Sequence, residues 1–260
     1  EHEVGLQYID IAKTFIETAD SKLLYNLYTS IGNLSTRTGR YSEAIFYHQD
    51  AYTIANARKD ESGCGLAYYN LGIVYYYLGE YPTALEHIYT SLSYDTNWGK
   101  LNSKLSCYNV LGEIYRQMGN FELSIQNLFT ALSKLTGEPE SRQLALCKQN
   151  IGSTYLSLKE YDLSMKYYLE ALEIYSSIGA KELEAKTLSN IGAVYGTIEN
   201  YDKAKEYFQK SIALHQSIGG FNKESLANTY SNLAEAYFNN GDDDNALASL
   251  QIALEYADAV

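Results

Sequence analysis

Asparagine recurs at equivalent positions of a pattern that repeats about every forty residues. The residues at this place are Ser30, Asn70, Val110, Asn150, Asn190 and Asn232. A side-chain amide offers both hydrogen-bond donors and an acceptor. A row of such amides on one face can therefore pair with the N–H and C=O groups of an extended peptide without reading its sequence. The alternative is that these amides bond to neighbouring helices and stabilise the fold.

Charged and aromatic side chains fall close to this row. Arg116 and Lys186 can each pair with a ligand carboxylate, and an amphipathic ring such as Tyr76 suits a binding surface. The alternatives are solvated surface charges and tyrosines that pack between helices. The ligand-binding residues that we expect are Asn70, Asn150, Asn190, Asn232, Arg116, Lys186, Glu113 and Tyr76.

The residue types that carry catalysis or bind metals form no recognisable motif. The four histidines lack a partner at metal-ligand spacing, and there is no nucleophile elbow, phosphate loop or HExxH. The three cysteines show no CxxC spacing. Cys107 and Cys147 lie 40 residues apart, which indicates two small buried thiols or, alternatively, a redox pair. We expect no enzyme activity, no cofactor and no metal in this chain.

A single period organises all of these residues. Its anchor is a small residue inside IG, LG or LA, with spacings of 40, 40, 40, 40 and 42. The anchors are Gly32, Gly72, Gly112, Gly152, Gly192 and Ala234. A tyrosine mostly follows three places later, an aromatic residue nine places later and a small residue twelve places later. The residues seven places later are Gly39, Gly79, Gly119, Lys159, Glu199 and Gly241.

The period predicts pairs of antiparallel helices. Glycine seven places after the anchor suits the end of a helix, because it tolerates the left-handed conformation there. Small residues at the anchor and twelve places later let the two helices of a pair approach closely. Each unit is therefore a helix A, a tight turn, a helix B and a linker. On helix A, the places six, three and two before the anchor and one after it lie about 160° around the helix from the residues that face helix B. They therefore face away from the core of their own helix pair.

The motifs NLGIVYYYLGEYPTAL and NIGAVYGTIENYDKAK resemble the tetratricopeptide repeat, or TPR. The forty-residue units are similar to those of bacterial peptide-pheromone receptors, kinesin light chain and the TPR sensory regions of bacterial signalling proteins. The resemblance implies an all-α fold, a right-handed α-solenoid of antiparallel helix pairs. It also implies that helix A lines a concave groove, where asparagine grips ligand backbones. Ser35, Asp243, Lys159 and Glu199 depart from the family pattern.

The period divides the chain into one continuous array. Residues 4–20 align in phase with 44–60, so residues 1–20 are expected to be helix B of a truncated repeat. We expect an array excised from a larger protein or, alternatively, ends that pair with another copy as a homodimer. The six expected full repeats are residues 21–60, 61–100, 101–140, 141–180, 181–221 and 222–260.

The net charge and the composition limit the classes of partner that the chain can bind. The net charge is −12 and the sequence pI is about 4.8, so the basic footprint of a nucleic-acid binder is missing. The same charge disfavours anionic membrane surfaces, and we expect no direct membrane contact. We expect a cytoplasmic protein, with a periplasmic location as the alternative.

The expected function is protein or peptide binding in the concave groove. The chain would then be the sensory or regulatory region of a larger bacterial signalling protein. The alternative is a self-associating scaffold or adaptor that assembles a multiprotein complex.

Overall fold

The structure, a computed structural model, describes residues 20–94, 102–135, 141–218 and 223–258, together with Ile11. Within these residues the chain forms twelve helices and no strand, so the predicted all-α solenoid class is confirmed. The half-repeat predicted at residues 1–20 falls almost wholly outside the described residues. The helices are α1 Ser21–Arg37, α2 Tyr41–Ala57, α3 Glu61–Tyr77, α4 Tyr81–Ser93, α5 Asn102–Gln117, α6 Phe121–Lys134, α7 Arg142–Ser157, α8 Tyr161–Ser177, α9 Lys181–Thr197, α10 Tyr201–Gln216, α11 Lys223–Asn239 and α12 Asp243–Asp258.

The chain divides into two compact units, Glu1–Ala131 and Leu132–Val260. Helices α1 to α6 belong to the first unit, although α6 ends three residues into the second, and α7 to α12 belong to the second. Odd-numbered helices are helix A of the repeat and even-numbered helices are helix B. Within a unit, helix A packs against the helix B that follows it, and helix B packs against the next helix A.

The anchor glycines allow this close packing of the pair. A Cβ atom on Gly72 would lie 2.5 Å from Cδ1 of Ile88, and one on Gly192 would lie 2.7 Å from Cε1 of Phe208. At each of the five glycine anchors, a Cβ atom would come within 2.9 Å of the side chain sixteen places later on helix B. The small anchor that defines the period is therefore a steric requirement of the helix pair.

The turn from helix A to helix B uses a left-handed residue. After α3 the N–H of Gly79 donates to Tyr76 O and the N–H of Glu80 donates to Tyr75 O, both at 3.0 Å. These two bonds close a Schellman motif, which satisfies carbonyls at the helix end. Lys159 and Glu199 adopt the same conformation without being glycine, with φ of 61° and 60°. The geometry of the turn is therefore kept in all described repeats, at a steric cost in these two.

Aromatic rings fill the space between the paired helices. In the second and fifth repeats, the tyrosine three places after the anchor stacks on a ring fifteen places after it, with centroids 5.1 Å apart for Tyr75 and His87 and 5.3 Å apart for Tyr195 and Tyr207. Between pairs, Phe208 and Ile212 of α10 join a buried cluster with Leu226 and Leu233 of α11. The core therefore continues from each helix B to the next helix A within a unit. None of the described helices is long and apolar enough to cross a bilayer.

Candidate peptide-binding face

Three asparagines of the predicted row lie on the helices A of the second unit. Asn150 is on α7, Asn190 on α9 and Asn232 on α11, and all three are half-buried. Within the part of the chain that the structure describes, their side-chain amides make no hydrogen bond. Each amide thus has part of its surface open to solvent and both of its hydrogen-bonding functions available.

The residues one place before these asparagines behave differently. Gln149 is 5% exposed and Ser189 is 9% exposed. The Thr187 hydroxyl lies 3.0 Å from Gln149 Oε1, and the Thr229 hydroxyl lies 3.3 Å from Ser189 Oγ. This place lies away from the core of its own helix pair, but the next helix A covers it, so it does not belong to an open face. These polar residues instead connect consecutive helices A within the second unit.

In the first unit the row takes another form. Asn70 is only 8% exposed, and its Nδ2 atom is buried without a hydrogen-bond partner among the described residues. Val110 takes the next place in the row and is half-buried. An extended peptide therefore meets no accessible amide at these two places. Of the four predicted asparagines, Asn70 is the one whose surroundings differ from the predicted open face.

Glu113 lies at the centre of a polar cluster in the first unit. Its carboxylate accepts from Tyr76 Oη at 3.1 Å, from Arg116 Nε at 3.0 Å and from Gln117 Nε2 at 2.8 Å. Burial alone would raise the pKa of Glu113, but the bonds and charge of Arg116, with Gln117 and Tyr76, hold it below its usual value. Burial raises the pKa of Tyr76, and the charge and hydrogen bond of Glu113 raise it further. Three predicted ligand contacts are therefore partners of one another.

Lys186 differs from Arg116. It is exposed on α9, four residues before Asn190. Among the described residues it makes no ion pair or hydrogen bond. It is therefore the predicted cation that remains accessible to an anionic group near the asparagine row.

One feature of the second unit was missed in the sequence. A cavity of about 170 Å³ opens between α9 and α11, above Phe208 of α10. Gly196 lines it, together with Asn232, Glu235 and Asn239. The signal in the sequence was Gly196 itself, because all five other repeats carry a side chain at that place: Thr36, Tyr76, Arg116, Leu156 and Phe238.

The three cysteines are buried on helices A, and the described histidines lie on the other helix of each pair. His48, His87 and His215 are all on helices B. Burial raises the pKa of Cys107 to about 11 and that of Cys147 to about 12, and it also raises the pKa of Cys64. These thiols are protonated at neutral pH and are poor nucleophiles. The chemistry available at the face is hydrogen bonding and ion pairing.

Several solved structures resemble the chain. BtubC (BKLC) from P. vanneervenii is 19% identical, with a TM-score of 0.68 over 85% of this chain and 89% of that one. The apo form of RapI is 17% identical, with a TM-score of 0.63 over 90% of this chain and 97% of that one. At this identity the likeness shows the fold.

A third similar structure is a larger protein. PH0952 from Pyrococcus horikoshii, a signal transduction ATPase of the STAND class with a tetratricopeptide repeat sensor, is 19% identical, with a TM-score of 0.70 over 97% of this chain. This chain spans 39% of the length of PH0952.

No curated protein sequence matches the chain. Sequence profiles of the tetratricopeptide repeat match residues 63–136, 144–217 and 227–259. These segments make up more than half of the chain, and they agree with the anchors, turns and helix pairs described above. The chain therefore belongs to the tetratricopeptide repeat family.

Proposed function

We propose that the chain binds an extended peptide across the helices A of its second unit, through the amides of Asn150, Asn190 and Asn232. Tetratricopeptide repeats are protein-interaction modules, and their fold is generally non-catalytic. The observation that carries the proposal is the state of these three amides. They are half-buried and have no hydrogen-bond partner within the described residues.

The neighbouring positions argue against a purely structural role for the row. Contacts between consecutive helices A are made by Thr187 with Gln149 and by Thr229 with Ser189. The residues that connect consecutive helices A therefore stand one place before the asparagines. The asparagines are left to face a ligand, and equivalent amides on successive repeats suit the regular spacing of an extended backbone.

The charges near the row favour particular ligands. Lys186 is exposed on α9 and suits an anionic group of the peptide. Arg116, in contrast, already bonds to Glu113. We therefore assign the ligand contacts to the second unit and give the Tyr76, Glu113 and Arg116 cluster a structural role.

The test uses a random-peptide phage library selected on the 260-residue chain. The selected peptides are synthesised and their affinities are measured for the chain and for the double variant Asn150→Ala with Asn190→Ala. Each lost amide contact should cost about 1 kcal/mol, so the double variant should bind roughly thirtyfold more weakly. Asn56→Ala, an exposed asparagine on α2, is the matched control and should bind as the unchanged chain does.

Two outcomes would contradict the proposal. One is that selection yields no peptide with a measurable affinity. The other is that the double variant binds the selected peptides as tightly as the control does. Circular dichroism of each variant separates a lost contact from a lost fold.

We further propose that this array is the sensory or regulatory region of a larger bacterial signalling protein. The support is its similarity in fold to PH0952, in which a tetratricopeptide repeat sensor accompanies an ATPase. The gene that encodes the chain tests this directly. A reading frame that continues into an output domain is expected, and one that encodes these 260 residues alone would contradict it.

A second candidate function is self-association as a scaffold. It is favoured by three exposed leucines on α12, of which Leu247 is 67% exposed and Leu254 is 63% exposed, with Leu250 between them. The places equivalent to Leu250 and Leu254 on α10 are Phe208 and Ile212, which are buried against α11. The leucines thus form a face of the kind that another helix covers.

Light scattering at several concentrations tests the scaffold. A homodimer through α12 should appear at the higher concentrations and should be lost in the double variant Leu250→Gln with Leu254→Gln. A monomer at every concentration would remove this candidate.

A further inference from the structure

The cavity beside Gly196 has an apolar floor and a polar rim. Phe208 and Tyr201 of α10 line it with Ala193 and Ala236, while Asn232, Glu235 and Asn239 of α11 bring amide and carboxylate groups. A Cβ atom on Gly196 would meet only Ala204 Cβ, at 4.0 Å. The empty space is therefore a consequence of the missing side chain at residue 196.

The first unit shows what fills the same place in another repeat. Tyr76 is the equivalent of Gly196 and Glu113 is the equivalent of Glu235, by the spacing from the anchors. The Tyr76 ring occupies the space between the helices, and its hydroxyl donates to Glu113 at 3.1 Å. Arg116, three residues after Glu113, adds a cationic donor at 3.0 Å.

Both donors are missing in the second unit. Glycine replaces the tyrosine at residue 196, and Phe238 stands where Arg116 would be. Glu235 is exposed, and among the described residues it forms no hydrogen bond or ion pair. The second unit therefore has the carboxylate of Glu235 and an open space beside it. It lacks the two groups that bond to Glu113 in the first unit, an aromatic ring and a cation.

We propose that this cavity is a specificity pocket for a lysine or arginine side chain of the bound peptide, which deepens and rests on the peptide binding proposed above. The aliphatic stem lies over Phe208 and the cationic head pairs with Glu235, as Arg116 pairs with Glu113. The Asn232 and Asn239 amides accept the remaining donors of the head.

The size of the cavity agrees with a single side chain. Its volume is about 170 Å³, and a cavity of roughly 150 Å³ holds a benzene-sized group. Whole small-molecule ligands usually occupy sites of about 300 Å³ or more. An uncharged apolar side chain fits the floor equally well, but it would cover the carboxylate of Glu235 without pairing it.

The test compares two tripeptides that differ only in charge. Acetyl-Ala-Arg-Ala-amide and the same peptide with citrulline, a neutral isostere of arginine, are titrated into the ¹⁵N-labelled chain. The amide signals of Gly196, Asn232 and Asn239 report binding. The arginine peptide should give saturable shifts, and the citrulline peptide should bind more weakly by about tenfold or more, as expected when a charge-assisted bond is lost.

Variants identify the pocket as the site. Gly196→Tyr copies Tyr76 and should abolish the shifts, while Gly196→Ala adds one methyl group and should weaken binding less. Glu235→Gln, at an exposed residue, should remove the preference for arginine over citrulline. Ala213→Tyr, on the exposed side of α10, is the matched control for an added ring and should bind as the unchanged chain does.

The outcomes separate this pocket from the peptide-binding face. A tripeptide is too short to reach Asn150 and Asn190 together with the pocket. Equal binding of the arginine and citrulline peptides, no shifts with either, or unchanged binding by Gly196→Tyr would overturn the pocket. Peptides that still depend on Asn150 and Asn190 would then show that the proposed function stands without it.

Discussion

The Thr187 hydroxyl lies 3.0 Å from Gln149 Oε1 in the buried contact between α7 and α9. Asn150, the next residue, makes no side-chain hydrogen bond within the described residues. Two adjacent amides on one helix therefore have opposite roles, one in the contact between helices and one on the face open to a ligand.

This difference predicts unequal effects of two neighbouring substitutions on the free energy of unfolding. Gln149→Ala removes a buried contact and should lower the free energy of unfolding by about 1–2 kcal/mol, because the Thr187 hydroxyl keeps its bond to Leu183 O at 2.8 Å. Asn150→Ala should change it by less than about 0.5 kcal/mol. Urea unfolding followed by circular dichroism measures both. Equal losses of stability would mean that the asparagine also holds the helices together.

The left-handed residues at the turns predict stabilising substitutions. Lys159 and Glu199 have φ near 60°, a conformation that costs a residue with a Cβ about 1 kcal/mol or more and costs glycine little. Lys159→Gly and Glu199→Gly should each raise the free energy of unfolding by about 0.5–1 kcal/mol after the added entropy of the unfolded chain is subtracted.

The reverse change is the control for the turns. Gly79→Lys, at a φ of 77°, should destabilise the chain by a similar amount. Thermal unfolding of the three variants decides the matter, and a lower midpoint for the two glycine variants would contradict the account of the turn.

His48 predicts a loss of stability in weak acid. Its ring is buried against Gly32, and both ring nitrogens lack a partner among the described residues. Burial lowers the pKa of His48 to about 4 from 6.5. The unfolded chain therefore binds this proton first, so the contribution is complete above pH 6.5 and is lost as the pH falls toward 4. The loss is on the order of 3 kcal/mol.

His48→Leu places an apolar residue where the third repeat has Leu128. The variant should lose this part of the pH dependence between pH 6.5 and 4 and should be more stable than the unchanged chain at pH 5. Urea midpoints at a series of pH values measure the difference. Parallel curves for the two proteins would show that His48 does not titrate as its burial requires.

The sequence alone was sufficient to predict the fold, because the anchor, the turn residue and most of the aromatic positions meet steric requirements that recur from repeat to repeat. Gly192 faces Phe208 for the same reason that Gly72 faces Ile88. The face was harder to predict, because the angle around one helix describes only its own pair. Burial of Gln149 and Ser189 depends on the next helix A, which that angle does not include.

The charged positions were harder still. Arg116 was expected to be available to a ligand, yet Glu113 lies three residues before it on the same helix and accepts its bonds. The pocket at Gly196 can be recognised only when equivalent residues of two repeats are compared. The forty-residue spacing identifies Tyr76 and Gly196 as equivalent residues. The structure was needed to show that the Tyr76 ring fills the space between the helices and that Gly196 leaves it open.

The cluster around Glu113 predicts that Arg116 acts on stability. Removing the guanidinium in Arg116→Ala leaves a carboxylate that is 22% exposed with fewer donors, which should cost about 1–3 kcal/mol. The affinity of peptides selected on the asparagine row should stay the same. Since the pKa of Glu113 is held below its usual value, its contribution is present above pH 4.5 and is lost as the pH falls through the lowered pKa.

A second substitution separates charge from packing in this cluster. Glu113→Gln in the Arg116→Ala background removes the stranded charge and should recover part of the lost stability near pH 7, although not below the pKa of Glu113, where the carboxyl is already neutral. Urea unfolding at both pH values measures this recovery. If Arg116→Ala instead weakens peptide binding at unchanged stability, the guanidinium belongs to the ligand site and the structural role assigned to the cluster is wrong.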